Sequence, residues 1–182
     1  MNKNLKIKIS GTRCPHRIAA TMMAATLLLH LTGCAGYRLG SSLPPDVRSV
    51  YVPAIINATS EPSLETEVTR AVIQEFQRDG TLRVLDKSQA DVTIDVRLVK
   101  FMLEPLRYDR DQAKTAEEYR MRISAELVLT RIDTGEVMSK RNVEGENTFD
   151  FTGDMGTSKR AALPKAAADL AHDIVESVVE FW

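Results

Sequence analysis

The chain has 182 residues, 24 Lys+Arg against 25 Asp+Glu, and 5% aromatic residues. A formal net charge of −1 excludes a nucleic-acid binder, which would carry a strongly basic face. The length suits one domain built on one hydrophobic core.

The first 33 residues read as an address. Lys3, Lys6, Lys8, Arg13 and Arg17 form a basic stretch without acids, and Ile18 to Leu31 follows, rich in Ala, Met and Leu. That run is shorter than the roughly 20 apolar residues a membrane span needs, and it fits the apolar region of a secretory signal. Leu31-Thr32-Gly33-Cys34 closes it and resembles the lipobox of bacterial lipoproteins, in which the chain is cut before the Cys and the new N-terminus is acylated. The expected organisation is therefore a signal peptide over 1–33, a lipidated N-terminus and short tether over 34–48, and a single α+β domain over 49–182. Each buried CH₂ contributes about 0.8 kcal/mol, so several acyl chains on Cys34 would hold the protein firmly. Ala35 follows the Cys where Asp would signal inner-membrane retention under enterobacterial sorting rules. Removing the leader's five basic residues leaves 19 Lys+Arg against 25 Asp+Glu, a net charge of −6. Cys14 lies in the leader and Cys34 takes the lipid, so no Cys remains for a disulfide, a zinc site or a thiol nucleophile.

Past the tether, Val50 to Ile55 reads as a strand, with Pro53 marking an edge position or a bulge. Asn57 to Pro62 reads as a polar turn. Ser63 is placed to cap a helix to about Gln77, with Glu65 and Glu67 in its first turn. Leu64, Val68, Val72 and Phe76 form its apolar row, widened by Ala71 and Ile73, and Asp79-Gly80 stops it. A short strand over Leu82–Leu85 follows. Val92, Ile94, Val96 and Leu98 then alternate with polar residues, the signature of a half-buried strand. The phase slips at Leu98-Val99, which predicts a β-bulge, and Pro105 is expected to close the strand. Arg107 to Thr115 reads as a charged loop. Tyr119, Met121, Ile123, Ala125, Leu127 and Leu129 alternate most clearly of all, Asp133-Thr134-Gly135 turns the chain, and Val137 to Phe149 returns. Gly153 to Ser158 reads as a flexible loop. A last helix capped by Ser158 carries a stripe of Leu163, Ala167, Leu170, Ile174, Val178 and Phe181, with Lys165, Asp169, Glu176 and Glu180 opposite. Pro164 marks either its true start or a kink. The expected fold is α+β: a mixed, mostly antiparallel sheet with two long helices packed on one face. The opening strand–helix–strand suits a right-handed parallel crossover.

No catalytic constellation is found. His172 is the only His after the leader and falls on the polar side of the last helix. Ser158-Lys159-Arg160-Ala161 lacks the S-x-x-K spacing, and Asp109-Arg110-Asp111 supplies too few oxygen ligands for a cation. The expectation is a non-enzyme with no metal and no cofactor. Binding then falls to two loops at the ends of the long strands. One carries Arg107, Tyr108 and Arg110; the other carries Phe149, Phe151, Lys159 and Arg160. Basic and aromatic groups suit an anionic, partly apolar ligand. The alternative is that the Arg side chains are merely solvated and the Phe rings cap the core.

Cys34-Ala35-Gly36-Tyr37-Arg38-Leu39, the strand Ser49–Pro53 after a Pro-containing tether, and Thr115-Ala116-Glu117-Glu118-Tyr119 leading into the clearest strand together resemble the lipopolysaccharide-assembly lipoprotein family LptE. Tyr37, Leu39, Thr115, Glu118 and Tyr119 carry the resemblance. It implies an outer-membrane lipoprotein on the periplasmic face that plugs an LptD-like β-barrel and supports lipopolysaccharide assembly without catalysing a reaction. It also implies lipopolysaccharide contacts through Arg107 or Arg110 and through Lys159 or Arg160. Asp109 and Asp111 interrupt the first basic run, which is a departure from the family pattern. A different reading is a lipoprotein activator of peptidoglycan synthesis, whose tether is usually long, whereas about ten residues here cannot reach the inner membrane.

Overall fold

The computed structural model describes residues 43–108 and 116–180. Their elements run β1 (Ser49–Tyr51), β2 (Ile56–Asn57), α1 (Leu64–Asp79), β3 (Arg83–Val84), β4 (Val92–Tyr108), β5 (Ala116–Arg131), β6 (Val137–Asp150) and α2 (Met155–Val179). The strands form one mixed sheet in the order β3-β1-β4-β5-β6, with β2 also on β4. The small strands pair in parallel with their neighbours, while β4, β5 and β6 are antiparallel. The α+β class and the mostly antiparallel sheet are as the alternation of apolar residues predicts.

The two helices pack on each other, α2 against β5 and β6, and α1 against β2 and β3. The apolar row of α1 meets the sheet: Leu64, Val68, Val72 and Phe76 are fully buried, and burying side chains of this size stabilises by about 1.5–3 kcal/mol each. Gly80, at φ +76°, ends the helix by donating its N–H to the Phe76 carbonyl at 3.0 Å. The opposite layer is the alternating face of β4 and β5, from Val92 to Leu98 and from Met121 to Leu129. Helix α2 turns an alanine-rich face, Ala162, Ala166, Ala167 and Ala171, toward this core. Small residues allow a close approach, and Gly145 on β6 completes it: a Cβ there would stand 2.5 Å from the Leu170 Cα. Asp91 ties the start of β4 to β1, accepting from the Arg48 N–H at 2.9 Å and the buried Ser49 hydroxyl at 2.6 Å. The Ser49 hydrogen bond, ahead of that from Arg48, holds the Asp91 carboxyl below its usual range.

The bulge is found where the phase slip predicts it, between Leu98 and Lys100. Six local expectations are corrected. The first strand is not continuous from Val50 to Ile55: Pro53 has no N–H for the ladder, so pairing to β4 lapses after Tyr51 and resumes at Ile56. Pro105 does not close β4, which runs on to Tyr108. Beyond the segment paired with β2, that side of β4 is an edge, where Pro costs no ladder bond. Ser63 does not cap α1 with its side chain; it sits in the left-handed region at φ 62°. The preceding turn is instead held by Asn57, whose amide donates to the Glu61 carbonyl and the Glu65 carboxylate, both at 2.8 Å. Most of Gly153–Ser158 is the first turn of α2, and the cap is Asp154, accepting from the Thr157 N–H at 2.7 Å. Pro164 therefore lies inside the helix and not at its start, and its ring is exposed.

Candidate functional site

Seventeen residues of β4 at about 3.3 Å each reach about 55 Å, whereas the 25 residues of α2 reach about 37 Å. The long strands outrun the helices, and the burial of β4 falls from its first half to the exposed Pro105–Tyr108. Arg107 and Tyr108, expected in a loop, lie on this overhang as the end of β4, and Phe149, expected at the second loop, lies beside it in β6. Glu118 of β5 pairs with Asp150 at the end of β6, so the end of the β4–β5 hairpin and the β6–α2 connection are neighbours.

Arg107 sits in a cage of carboxylates. Its guanidinium lies 3.0 Å from Glu117, 3.4 Å from Glu118 and 3.8 Å from Asp150. The side chain is more than half exposed, so each pair is screened and individually weak, but together they neutralise it. Lys159 is also engaged. Its Nζ is 2.8 Å from the Glu61 carboxylate and 6.0 Å from the centroid of the Phe101 ring. Both members of this ion pair are largely buried, and the pair joins the loop before α1 to the first turns of α2. Arg160 is exposed beside it. Tyr119 stacks on Phe149 at 5.9 Å between centroids and meets Phe151 edge-on at 6.5 Å. With half-buried Phe101 and Leu103, these rings cover the helix-side face of the overhang. A cleft of about 530 Å³ opens between the loop before α1 and α2, lined among others by Ser63, Thr66, Lys159, Arg160 and Leu163.

Glu118 and Tyr119 thus fall within this tip. Cys34, Tyr37, Leu39, Arg110 and Thr115 lie outside the described residues. Sequence reading missed Glu61, whose partner stands 98 residues away and leaves no local signal. It also missed Phe101 as the ring beneath Lys159. His172 is a surface residue, as predicted, but it is not idle. Its Nδ1 lies 3.1 Å from the Glu75 carboxylate across the helix pair, and that hydrogen bond raises its pKa above the ordinary value of 6.5. Among the described residues there is no cluster of His, Cys, Asp and Glu that could hold a metal, and no helix is long and apolar enough to cross a membrane.

Among the described residues, the second face of the sheet carries no helix and is laced with charge. Arg122 lies 3.6 Å from Glu104, 3.9 Å from Glu144 and 3.5 Å from Glu146, and Arg120 lies 3.6 Å from Glu146. Ser124 donates to Glu144 at 2.8 Å. The arrangement offers a polar surface whose arginines are paired with carboxylates.

The lipopolysaccharide-assembly family LptE matches residues 47–178. This chain belongs to the LptE family. The match spans nearly all of the described domain, and the role attached to the family is lipopolysaccharide assembly. No curated protein matches the LptE-family chain by sequence at a significant level. Among solved structures, it is similar to a Xanthomonas campestris protein of the DUF330 family, at 12% identity and a TM-score of 0.55, covering 76% of this chain and 87% of that one. It is also similar to a hypothetical protein from Chlamydia trachomatis, at 8% identity and a TM-score of 0.52, covering 74% and 97%. At these identities the likeness is one of fold. It shows that the two-helix, mixed-sheet layer seen here is shared, and the family assignment rests on the sequence match.

Proposed function

We propose that this chain is an outer-membrane lipoprotein that seats in the lumen of an LptD-like β-barrel and supports lipopolysaccharide assembly at the cell surface. The observation that carries the reading is the family match over residues 47–178. Three features support it. The basic leader ending in Leu31-Thr32-Gly33-Cys34 provides for export, cleavage and a lipid on Cys34, which would hold the domain at the membrane. The sheet face that no described helix covers, with charges paired across its strands, suits the polar interior of a barrel. The tip sets aromatic rings beside cations, a chemistry that suits phosphorylated glycolipid.

The ion pairs refine which cations are available. Arg107 and Lys159 are already matched by carboxylates, so a phosphate would have to displace those partners. Arg160 is exposed, and Arg110 falls between β4 and β5 in the sequence. We take these two as the contacts for a first encounter with lipopolysaccharide. Affinity purification of the tagged full chain from detergent-solubilised membranes should recover a large β-barrel protein in near-stoichiometric amount. Recovery of periplasmic proteins alone would overturn the proposal.

A further inference from the structure

Alternate N–H groups of an edge strand point away from its sheet and invite another strand. The sheet has two long edges. On β4, beyond the segment paired with β2, the edge is broken by the bulge at Val99 and by Pro105. Both are recognised protections against strand addition. The other edge is β6, with 14 residues, no Pro, and an uninterrupted register to β5 from Glu118 to Leu129.

Helix α2 runs along that edge and supplies acceptors to it. The Glu146 N–H donates to the Asp169 carboxylate at 2.8 Å. Asp173, one turn further along α2, lines the groove beside Asn142 and Glu144, where the Glu144 N–H favours its charged form. Just past the strand, the Thr152 N–H donates to the Ser158 hydroxyl at 3.1 Å. Glu144, Glu146 and Thr152 share one parity, whereas the Phe151 N–H points inward to the Glu117 carbonyl at 2.7 Å. These three are therefore outward N–H groups. Asp169 and Asp173 are spaced i,i+4, which places like charges side by side on a helix and destabilises it. Burial first, then Asp169 and Glu176, push the Asp173 carboxyl up from its usual range. A helix with no use for these carboxylates would be more stable without them.

The strand they cover is complementary to itself. Its first half carries Lys140 and its second half carries Glu144 and Glu146. An antiparallel partner of the same sequence, centred on Val143, would set Lys140 of each copy opposite Glu146 of the other on the same face.

We infer that Asp169, Asp173 and Ser158 are edge guards: Asp169 engages an outward N–H of β6, Ser158 engages one just past it, Asp173 lines the groove beside Glu144, and together they keep the sheet from extending into a second copy of this chain. The full chain purified in detergent should be monomeric by light scattering. The Asp169→Ala/Asp173→Ala variant, checked for native circular dichroism, should dimerise with rising concentration. Adding Thr148→Pro, which removes another outward N–H, should return it to monomer. A folded double variant that stays monomeric at the same concentrations, or a dimer that survives Thr148→Pro, overturns the inference, as does a wild-type chain that dimerises through β6. The milder Asp169→Ala variant tests the guard even if the double variant fails to fold. Hydrogen exchange should speed at the Glu146 amide and stay unchanged at Glu144, and unchanged exchange at Glu146 contradicts it.

Discussion

Gly145 shows how one absent side chain can set the distance between layers. Its place on β6 is directly under the Leu170 backbone of α2, so Gly145→Ala must push helix and sheet apart. We expect a loss of about 1–3 kcal/mol, the usual cost of overpacking, read as a lower urea midpoint with an unchanged slope. His172 gives a pH dependence. Its folded pKa is raised by the hydrogen bond to Glu75, so the bridge contributes fully below the unfolded pKa of about 6.5. It is lost as pH rises through the folded value. Melting temperature should therefore fall from pH 6 to pH 8 more in the wild type than in Glu75→Gln, by a small margin because the His172 side chain is 65% exposed. Arg110→Glu with Arg160→Glu should weaken lipopolysaccharide binding while leaving the melting temperature in place. Unchanged binding to immobilised lipopolysaccharide would count against these two cations as the contact. None of these partners could be read from the residues alone. Glu75 and His172, and Glu61 and Lys159, are each about a hundred positions apart, and Gly145 carries no turn motif to mark it.

The secondary elements were largely readable because burial imposes a period. The row Leu64, Val68, Val72, Phe76 marks a helix, and the strict alternation from Val92 and from Tyr119 marks strands, since each pattern puts its apolar residues on one buried face. Even the bulge at Val99 shows as a change of phase. The element ends were less readable, for physical reasons that differ from case to case. Pro105 signals a stop only where its missing N–H would leave a neighbour unsatisfied, and on this edge it does not. Ser63 has the side chain of a cap, but the chain enters α1 through a left-handed turn, which aims the hydroxyl elsewhere. Ser158 looks like a cap and acts as one for Thr152 of the preceding connection, while Asp154 serves the helix. Asp169 and Asp173 read as an ordinary solvated helix face until the β6 edge is placed beside them.

For the described domain as a whole, the fold has one apolar face of sheet covered by two helices, one polar face that no described helix covers, and a tip that projects past the helices. That asymmetry suits a plug: the layered core supplies rigidity, the self-paired charges of the open face tolerate a wet polar wall, and the guarded edges keep the sheet from growing. A lipid on Cys34 would add attachment without adding a transmembrane segment. If the cell needs this LptE-family chain to place lipopolysaccharide at its surface, as proposed, depleting the chain in growing cells will reveal it. With the barrel partner and surface lipopolysaccharide quantified together, both should decline as the chain disappears, with lipopolysaccharide accumulating short of the outer leaflet. Undiminished surface lipopolysaccharide in fully depleted cells would contradict it.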